Sequence, residues 1–354
     1  MFLNRPWPGA RAMRQGVAGP TNARDGAGTK EPVGACQVSV ESSHLIQGAL
    51  GMPKLVNLGS LCIDHVYRVP AFTGSGETVS SATHEVFPGG KGLNQSIAAA
   101  RAGIDVVHVG CIGEDGVWLK ETLAAEGVDV TGLRVIGGST GHAVIQVNEA
   151  GQNAIVIFGG TNRALDADDI EAAVARVERC DWLMLQNEIN DLDLVLRSAK
   201  ERGCQVAFNV APVDGREAAY DLSCVGLLIV NEIEAAALAG TDAPDEDWSG
   251  VMAALATRAP KAAIVLTLGS DGLVYSEGAG LASLPAYSVS AVDETAAGDA
   301  FIGYLMGSLI RGESMRDALR MGSAAGALAV TRAGAASSLP AEADVRSFVQ
   351  TGGS

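Results

Sequence analysis

Residues 292–303 read VDETAAGDAFIG, and the rest of the chain is read outward from them. Ala296, Ala297 and Gly298 carry almost no side chain, so their amides can approach a ligand closely. Behind them the apolar run Phe301, Ile302, Tyr304, Leu305 predicts a helix packing into a core. Free N–H groups at a helix start attract anions. Asp299 falls in the first turn, where a carboxylate is stabilised. An acid beside an anion cradle suits a base that takes a proton from an alcohol while phosphate charge is held nearby. An ordinary small-residue loop before a helix reads the same way, so other stretches must decide.

Short apolar runs of strand length alternate with Ala-rich helical segments. The strand candidates are 55–61, 106–112, 182–185, 206–210, 227–230 and 263–268; the helices lie near 93–102, 116–126, 167–178, 191–202, 232–239 and 248–258. This alternation predicts an α/β fold, a three-layer α/β/α domain with a mainly parallel sheet, and ligands at the carboxyl ends of its strands. Two regions break the pattern. Residues 65–87 carry Gly74 and Gly76 among patches of alternating polarity, and the runs 143–147 and 154–158 flank NEAGQN as a hairpin would. Together, about 65–87 and 142–158 predict a small β-sheet able to close as a lid and exclude water.

The formal charge is −16, from 25 basic and 41 acidic residues, and no basic run offers itself to a nucleic-acid backbone or an anionic membrane. A local helix terminus can still bind an anionic nucleotide. No apolar run reaches the roughly 18 residues of a membrane span. Six cysteines are scattered without C-x-x-C spacing, which points to a reducing cytoplasm. Residues 1–52 hold Pro6, Pro8, Pro20 and many Gly and Arg without periodicity; they read as a disordered extension or as a reading frame begun too early, with Met52 the alternative start. The expected domain then runs over 53–345, followed by a tail over 346–354.

A second glycine stretch, PGGKGLNQ at 88–95, leads directly into an Ala-rich helix. No Walker A loop and no well-placed G-x-G-x-x-G occur, which disfavours P-loop ATPases and dinucleotide-binding dehydrogenases. PGGKGLNQ followed far downstream by DETAAGDAFIG resembles the two signature motifs of the PfkB carbohydrate kinases, in particular their ribokinase branch. GSLCID from Gly59, NEIE from Asn231, TLGSDG from Thr267 and LAVTRAGAASSLP from Leu328 follow the family's order.

The resemblance implies a ribokinase-like fold and transfer of the ATP γ-phosphoryl, as the Mg²⁺ complex, to a hydroxymethyl group of ribose or a related sugar. It assigns Asp299 as base and Ala296, Ala297 and Gly298 as the anion hole. For the sugar it implies Asp64, Gly90, Lys91, Asn94 and Glu188; for nucleotide and magnesium, Asn231, Glu234, Thr267, Gly269 and Gly272, with Gly298 again. Asp293, Thr295, Ala329, Arg332, Gly334 and Ser338 match a site for K⁺, whose oxygen donors suit a hard cation. A homodimer formed through the lid is a further expectation.

Departures from the pattern concern the substrate more than the chemistry. Cys62 stands where ribokinases carry an asparagine, which removes an amide contact to the sugar. Leu93 is bulky inside the glycine motif, Glu294 replaces a threonine, and Ser323 replaces an adenine-side asparagine. A nucleoside, a deoxy sugar or another sugar derivative therefore stays open as acceptor. A sugar-binding or sensing protein without turnover is the alternative of another class.

Overall fold

The computed structural model describes residues 52–242, 248–277 and 280–353, and the expectation for residues 1–51 lies outside them. Its strands are β1 (Leu55–Leu58), β2 (Cys62–Arg68), β3 (Thr83–Gly89), β4 (Val106–Ile112), β5 (Asp129–Val135), β6 (Gly141–Val147) and β7 (Asn153–Phe158). They continue with β8 (Trp182–Gln186), β9 (Gln205–Asn209), β10 (Val225–Asn231), β11 (Ala263–Thr267), β12 (Leu273–Glu277) and β13 (Gly280–Leu284). The helices are α1 (Lys91–Arg101), α2 (Val117–Ala125), α3 (Ala167–Ala175), α4 (Leu192–Arg202) and α5 (Glu232–Ala239). After them come α6 (Ser249–Arg258), α7 (Ala297–Ile310), α8 (Met315–Ala329) and α9 (Glu342–Gln350).

The large sheet runs β13-β12-β11-β10-β9-β8-β1-β4-β5. Its strands from β5 to β11 pair in parallel, and β12 and β13 close the far edge as an antiparallel pair. Strand alternation sends neighbouring side chains to opposite faces. Leu55, Met184, Ala207 and Leu227 face a core with α1, α7 and α8, while Val56, Leu183, Phe208 and Leu228 face one with α3, α4 and α5. Both faces are covered, as the unbroken apolar runs require.

Close packing of α1 against α7 depends on missing side chains. A Cβ on Gly303 would lie 2.3 Å from Ala98 Cβ, and one on Gly307 would lie 2.7 Å from Ala102 Cβ. The two glycine-containing motifs, distant in sequence, are thereby laid side by side.

The four-stranded sheet has the order β3-β2-β6-β7. The expected lid is thus a separate sheet, but it starts at Cys62, because the first strand stops at Leu58 and not at Leu61. There the Gly59 amide donates to Val109 O (3.1 Å), and Asn162 accepts from the Leu61 amide through Oδ1 (3.0 Å) and returns Nδ2 to Leu61 O (2.8 Å), so 59–61 forms a corner between the two sheets. Part of the expected tail over 346–354 is helical. Helix α9 crosses 345 and continues to Gln350, since Val345 is fully buried and Phe348 packs on Tyr287 with ring centroids 5.1 Å apart.

Candidate active site

The polar ends of the parallel strands converge on the start of α7. Ala296 precedes the helix in a left-handed conformation, φ 60°, which costs a residue with a Cβ about 1–2 kcal/mol. Tight geometry here leaves the first-turn amides of Gly298 and Asp299 pointing out of the helix without intrahelical acceptors, and no side chain caps them. Asp299 is buried, and its two carboxylate oxygens accept from different amides: Asn94 Nδ2 to Oδ2 (3.0 Å) and Gln95 Nε2 to Oδ1 (2.9 Å). Asn94 Oδ1 is buried with no protein partner. Leaving such an acceptor unpaired costs about 1–3 kcal/mol, so the site is built to receive a donor.

On one side of Asp299 lie the residues expected to hold a sugar. Asp64, on β2, lies against the backbone of Gly89, where a Cβ would come within 2.0 Å of Oδ2. Burial, then the charges of Glu188 and Asp299, push its carboxyl up to about 7. Glu188, just past β8, accepts the Lys91 amide (3.0 Å) and the Ser60 hydroxyl, both on Oε2, so it caps α1 and keeps Oε1 for a ligand. Gly90 holds φ 93° at the head of α1, and a Cβ there would meet the Cys62 amide at 2.9 Å. Cys62 is buried, and burial followed by the charges of Glu188 and Asp64 keeps its thiol protonated well above the usual range. The neighbouring Asn162 amide reaches Cys62 Sγ only at 3.7 Å, its stronger bonds going to Leu61. Leu93 is fully buried in the core beneath the loop and makes no pocket wall.

On the other side a pocket of about 250 Å³ is lined by Lys91, Asn209, Asn231, Glu234, Thr267, Glu294, Ala296, Gly298 and Asp299, among others. Asn231 and Glu234 form a reciprocal cap on α5: Glu234 N donates to Asn231 Oδ1, and Asn231 N donates to Glu234 Oε2, both at 2.9 Å. Burial raises the Glu234 carboxyl, against the pull of the Asn231 amide and Lys91. The Lys91 side chain lines this pocket. Burial disfavours its ammonium, but Asp299, Glu188 and Glu234 outweigh that and hold its pKa above the ordinary lysine value. Thr267 ends β11 opposite Asn231 and lines the pocket. Gly269 and Gly272 do not line it; they turn the chain at φ 53° and 92° into β12.

The residues expected to hold a monovalent cation come from two segments that the structure joins. Val292 and Asp293 donate to Val330 O (2.7 and 3.1 Å), and Gly334 N donates to Asp293 Oδ2 (2.9 Å). Thr295 donates to Asp293 Oδ1 from N (2.9 Å) and from Oγ1 (2.6 Å). Burial pushes the Asp293 carboxyl up, but these donors prevail and hold it below the usual range. Ala329 ends α8 and Ser338 is fully buried, whereas the Arg332 guanidinium turns outward to Asp344 (3.5 Å), leaving only its backbone to the loop. Among the described residues no group of three or more His, Cys, Asp or Glu has the arrangement of a metal cage. A cation bound here would be held by single carboxylates and backbone oxygens.

A profile described as pfkB family carbohydrate kinase matches residues 52–342. The chain belongs to the pfkB carbohydrate kinase family. It is 35% identical over 301 residues to a ribokinase of Haemophilus influenzae, covering 84% of this chain and 98% of that one. A deoxyribokinase of Salmonella typhi is 29% identical over 293 residues, 80% of this chain and 94% of its own. Arabidopsis thaliana ribokinase, solved with ribose and ATP, superposes with a TM-score of 0.73 at 27% identity, over 85% of this chain and 99% of that structure. The protein is thus a carbohydrate kinase of the ribokinase-like fold, a phosphotransferase with an alcohol acceptor. Three polar residues of this kinase's site escaped the reading of its sequence: Ser60, Gln95 and Asn209. Two of them sit inside quoted motifs, and only the three-dimensional partner reveals what they do.

Proposed function

We propose that this kinase transfers the γ-phosphoryl of ATP to the hydroxymethyl group of ribose, with Asp299 as base. The observation that carries the reading is the carboxylate of Asp299 held by two amides at a helix start where no side chain caps the Gly298 and Asp299 N–H groups, beside the unpaired Asn94 Oδ1. In the bound complex the sugar lies among Asp64, Glu188 and Asn94, and its diol donates to the two carboxylates. The hydroxymethyl oxygen gives its proton to Asp299 as it attacks the γ-phosphorus; the bond from that phosphorus to the β,γ-bridging oxygen breaks, ADP leaves, and the charge of the transferring group is met by the amides of the Ala296–Gly298 turn. Lys91 supplies positive charge from the nucleotide pocket, where Thr267, Asn231 and Glu234 border the phosphates. Catalysis of this kind is mostly alignment and charge neutralisation.

Magnesium, carried in on the nucleotide, would be held from outside by Glu234 and Asn231 and would offset phosphate charge. Potassium would be held by Asp293 and Thr295 with the backbone of Ala329, Arg332, Gly334 and Ser338, adding positive potential behind the anion turn. The four-stranded sheet acts as the lid, and its exposed Ile155, Val156, Ile157 and Phe158 fit a homodimer formed through it. Free thiols at Cys62, Cys111, Cys204 and Cys224 accord with the cytoplasm.

A second reading concerns the acceptor. With Cys62 neutral and the Asn162 amide committed to Leu61, that wall offers no strong hydrogen bond to a hydroxyl, which favours a deoxy sugar on that side. ADP release measured over ribose, 2-deoxyribose and a nucleoside panel, with Mg²⁺ and K⁺ present, tests both readings. Ribose is expected to give the highest kcat/KM. Preference for 2-deoxyribose would install the second reading, and silence over the panel would sink both in favour of a binding protein. Turnover is expected to fall when K⁺ is replaced by Na⁺, and equal rates would remove the cation site.

A further inference from the structure

Beneath the base runs a buried chain of side-chain amides of which the reading above uses only the end that touches Asp299. Gln95 donates from Nε2 to Asp299 Oδ1 (2.9 Å) and to Asn209 Oδ1 (3.2 Å), and its Oε1 accepts from Gln186 Nε2 (2.7 Å). Gln186 Nε2 also donates to Asn57 Oδ1 (3.0 Å). Asn57 Nδ2 then donates to Gly92 O (2.9 Å) and to Ser96 Oγ (2.8 Å), and Ser96 Oγ meets His108 Nδ1 at 2.8 Å. Gln95, Gln186, Asn57, Ser96 and His108 are all buried, on α1, β8, β1 and β4.

The direction of this chain is not arbitrary. A carboxylate accepts only, so the end of Gln95 that faces Asp299 must be its NH₂; its oxygen then faces Gln186, which must present NH₂ in turn, and Asn57 must present oxygen to that. The cost of this order falls on Gln186, whose Oε1 is left buried without a partner. A chain optimised only for its own hydrogen bonds would not strand that oxygen. We propose that Gln95 is a positioning residue for phosphoryl transfer: backed by Gln186 and Asn57, it fixes the rotation of the Asp299 carboxylate so that one oxygen is presented to the acceptor hydroxyl.

This inference rests on Asp299 as the base and predicts a specific kinetic signature. Gln95→Met keeps the shape and removes the donor. It should lower kcat about tenfold or more, while KM for sugar and ATP moves less than about threefold, because the contacts to both substrates lie elsewhere. A structural role would instead show as lowered thermal stability with kcat and both KM values drifting together. The deciding experiment is a double-mutant cycle in full-length protein by single-turnover kinetics: wild type, Q95M, D299N and Q95M/D299N. The expected result is a large loss for D299N and no further loss when Q95M is added. Full additivity would overturn the role of Gln95 and leave the base assignment standing, whereas a D299N variant as active as wild type would overturn the base assignment itself. Should Q95M fold poorly, Gln186→Met, one link further back, is expected to show the same sign and a smaller loss in kcat, and an unaltered kcat there would also count against the proposal.

Discussion

Strands β4 and β7 hold similar apolar residues and meet opposite fates. All seven residues of β4 are buried between helical layers, whereas all six of β7 are exposed, including Val156 at 71% and Ile157 at 60%. The large domain has therefore completed its burial within one chain. The small sheet has not, and an exposed apolar strand is a surface prepared for something else. The division places Asp299 and its pocket in the large domain and leaves the small sheet as the part proposed to enclose substrate and to meet a partner.

The contrast can be attacked first at its rigid side. Gly303→Val forces a branched side chain into Ala98, where even a Cβ stands at 2.3 Å, and should cost about 2–3 kcal/mol in denaturant unfolding. It should also lower kcat, because α1 carries Asn94 and Gln95 to Asp299. Unchanged stability and kcat would show that the helix contact is not what aligns the two motifs. The lid should respond differently. Charges at Val156 and Ile157, as in V156E/I157K, are expected to leave unfolding free energy within about 0.5 kcal/mol of wild type, as surface changes do. In light scattering the protein should become a monomer, with sugar KM raised several-fold and kcat nearly preserved. A mass that does not change would refute the dimer proposed through this sheet.

An effect confined to high pH is expected where the two regions meet, at Asp64. Its carboxyl is held near pH 7 in the folded protein and titrates at about 3.9 in an unfolded chain. Between those values the native state binds a proton that the unfolded state has lost, so stability falls as pH climbs from about 4 to about 7 and is flat above that. Sugar affinity should run the other way, weakening below about pH 7 as the acceptor carboxylate is protonated. Asp64→Asn removes the buried charge, so its melting temperature should exceed that of wild type by a few degrees at pH 8 and match it at pH 4. Equal melting temperatures at pH 8 would mean that Asp64 is not strained by its neighbours.

Elements with a strong apolar signal were legible in the sequence. The buried central strands and the helices that cover them lie within a few residues of their expected bounds, because burial on both faces leaves unbroken apolar runs. Strand β5 gave no such run, since only Leu133 among its seven residues is buried. The antiparallel pair β12–β13 sits at an edge with mixed burial, and α9 buries Val345 alone. At the site, Asp299, Asn94, Asp64 and Glu188 were reached through motifs, and the structure draws them together. That Lys91 lines the pocket with Asn231 and Glu234 was not legible, because a residue at a helix start can turn to either side of it. Gln95 was equally hidden: a glutamine after an asparagine on an Ala-rich helix has no pattern of its own until its partner, far away in sequence, is in place.

The bonds from Val292 and Asp293 to Val330 have a mechanical meaning. Helices α7 and α8 are joined at one end by the chain itself, over residues 311–314, and at the other by those two hydrogen bonds with the Gly334–Asp293 contact. The pair is a closed ring and not an open hairpin, with Asp299 near its hydrogen-bonded clasp. Opening that clasp would unlatch the Ala296–Gly298 turn without unfolding either helix. The amides of Val292 and Asp293 therefore serve as gauges, and their deuterium uptake would report how often the Ala296–Gly298 turn is unfastened while the Asp299 carboxylate is left untouched.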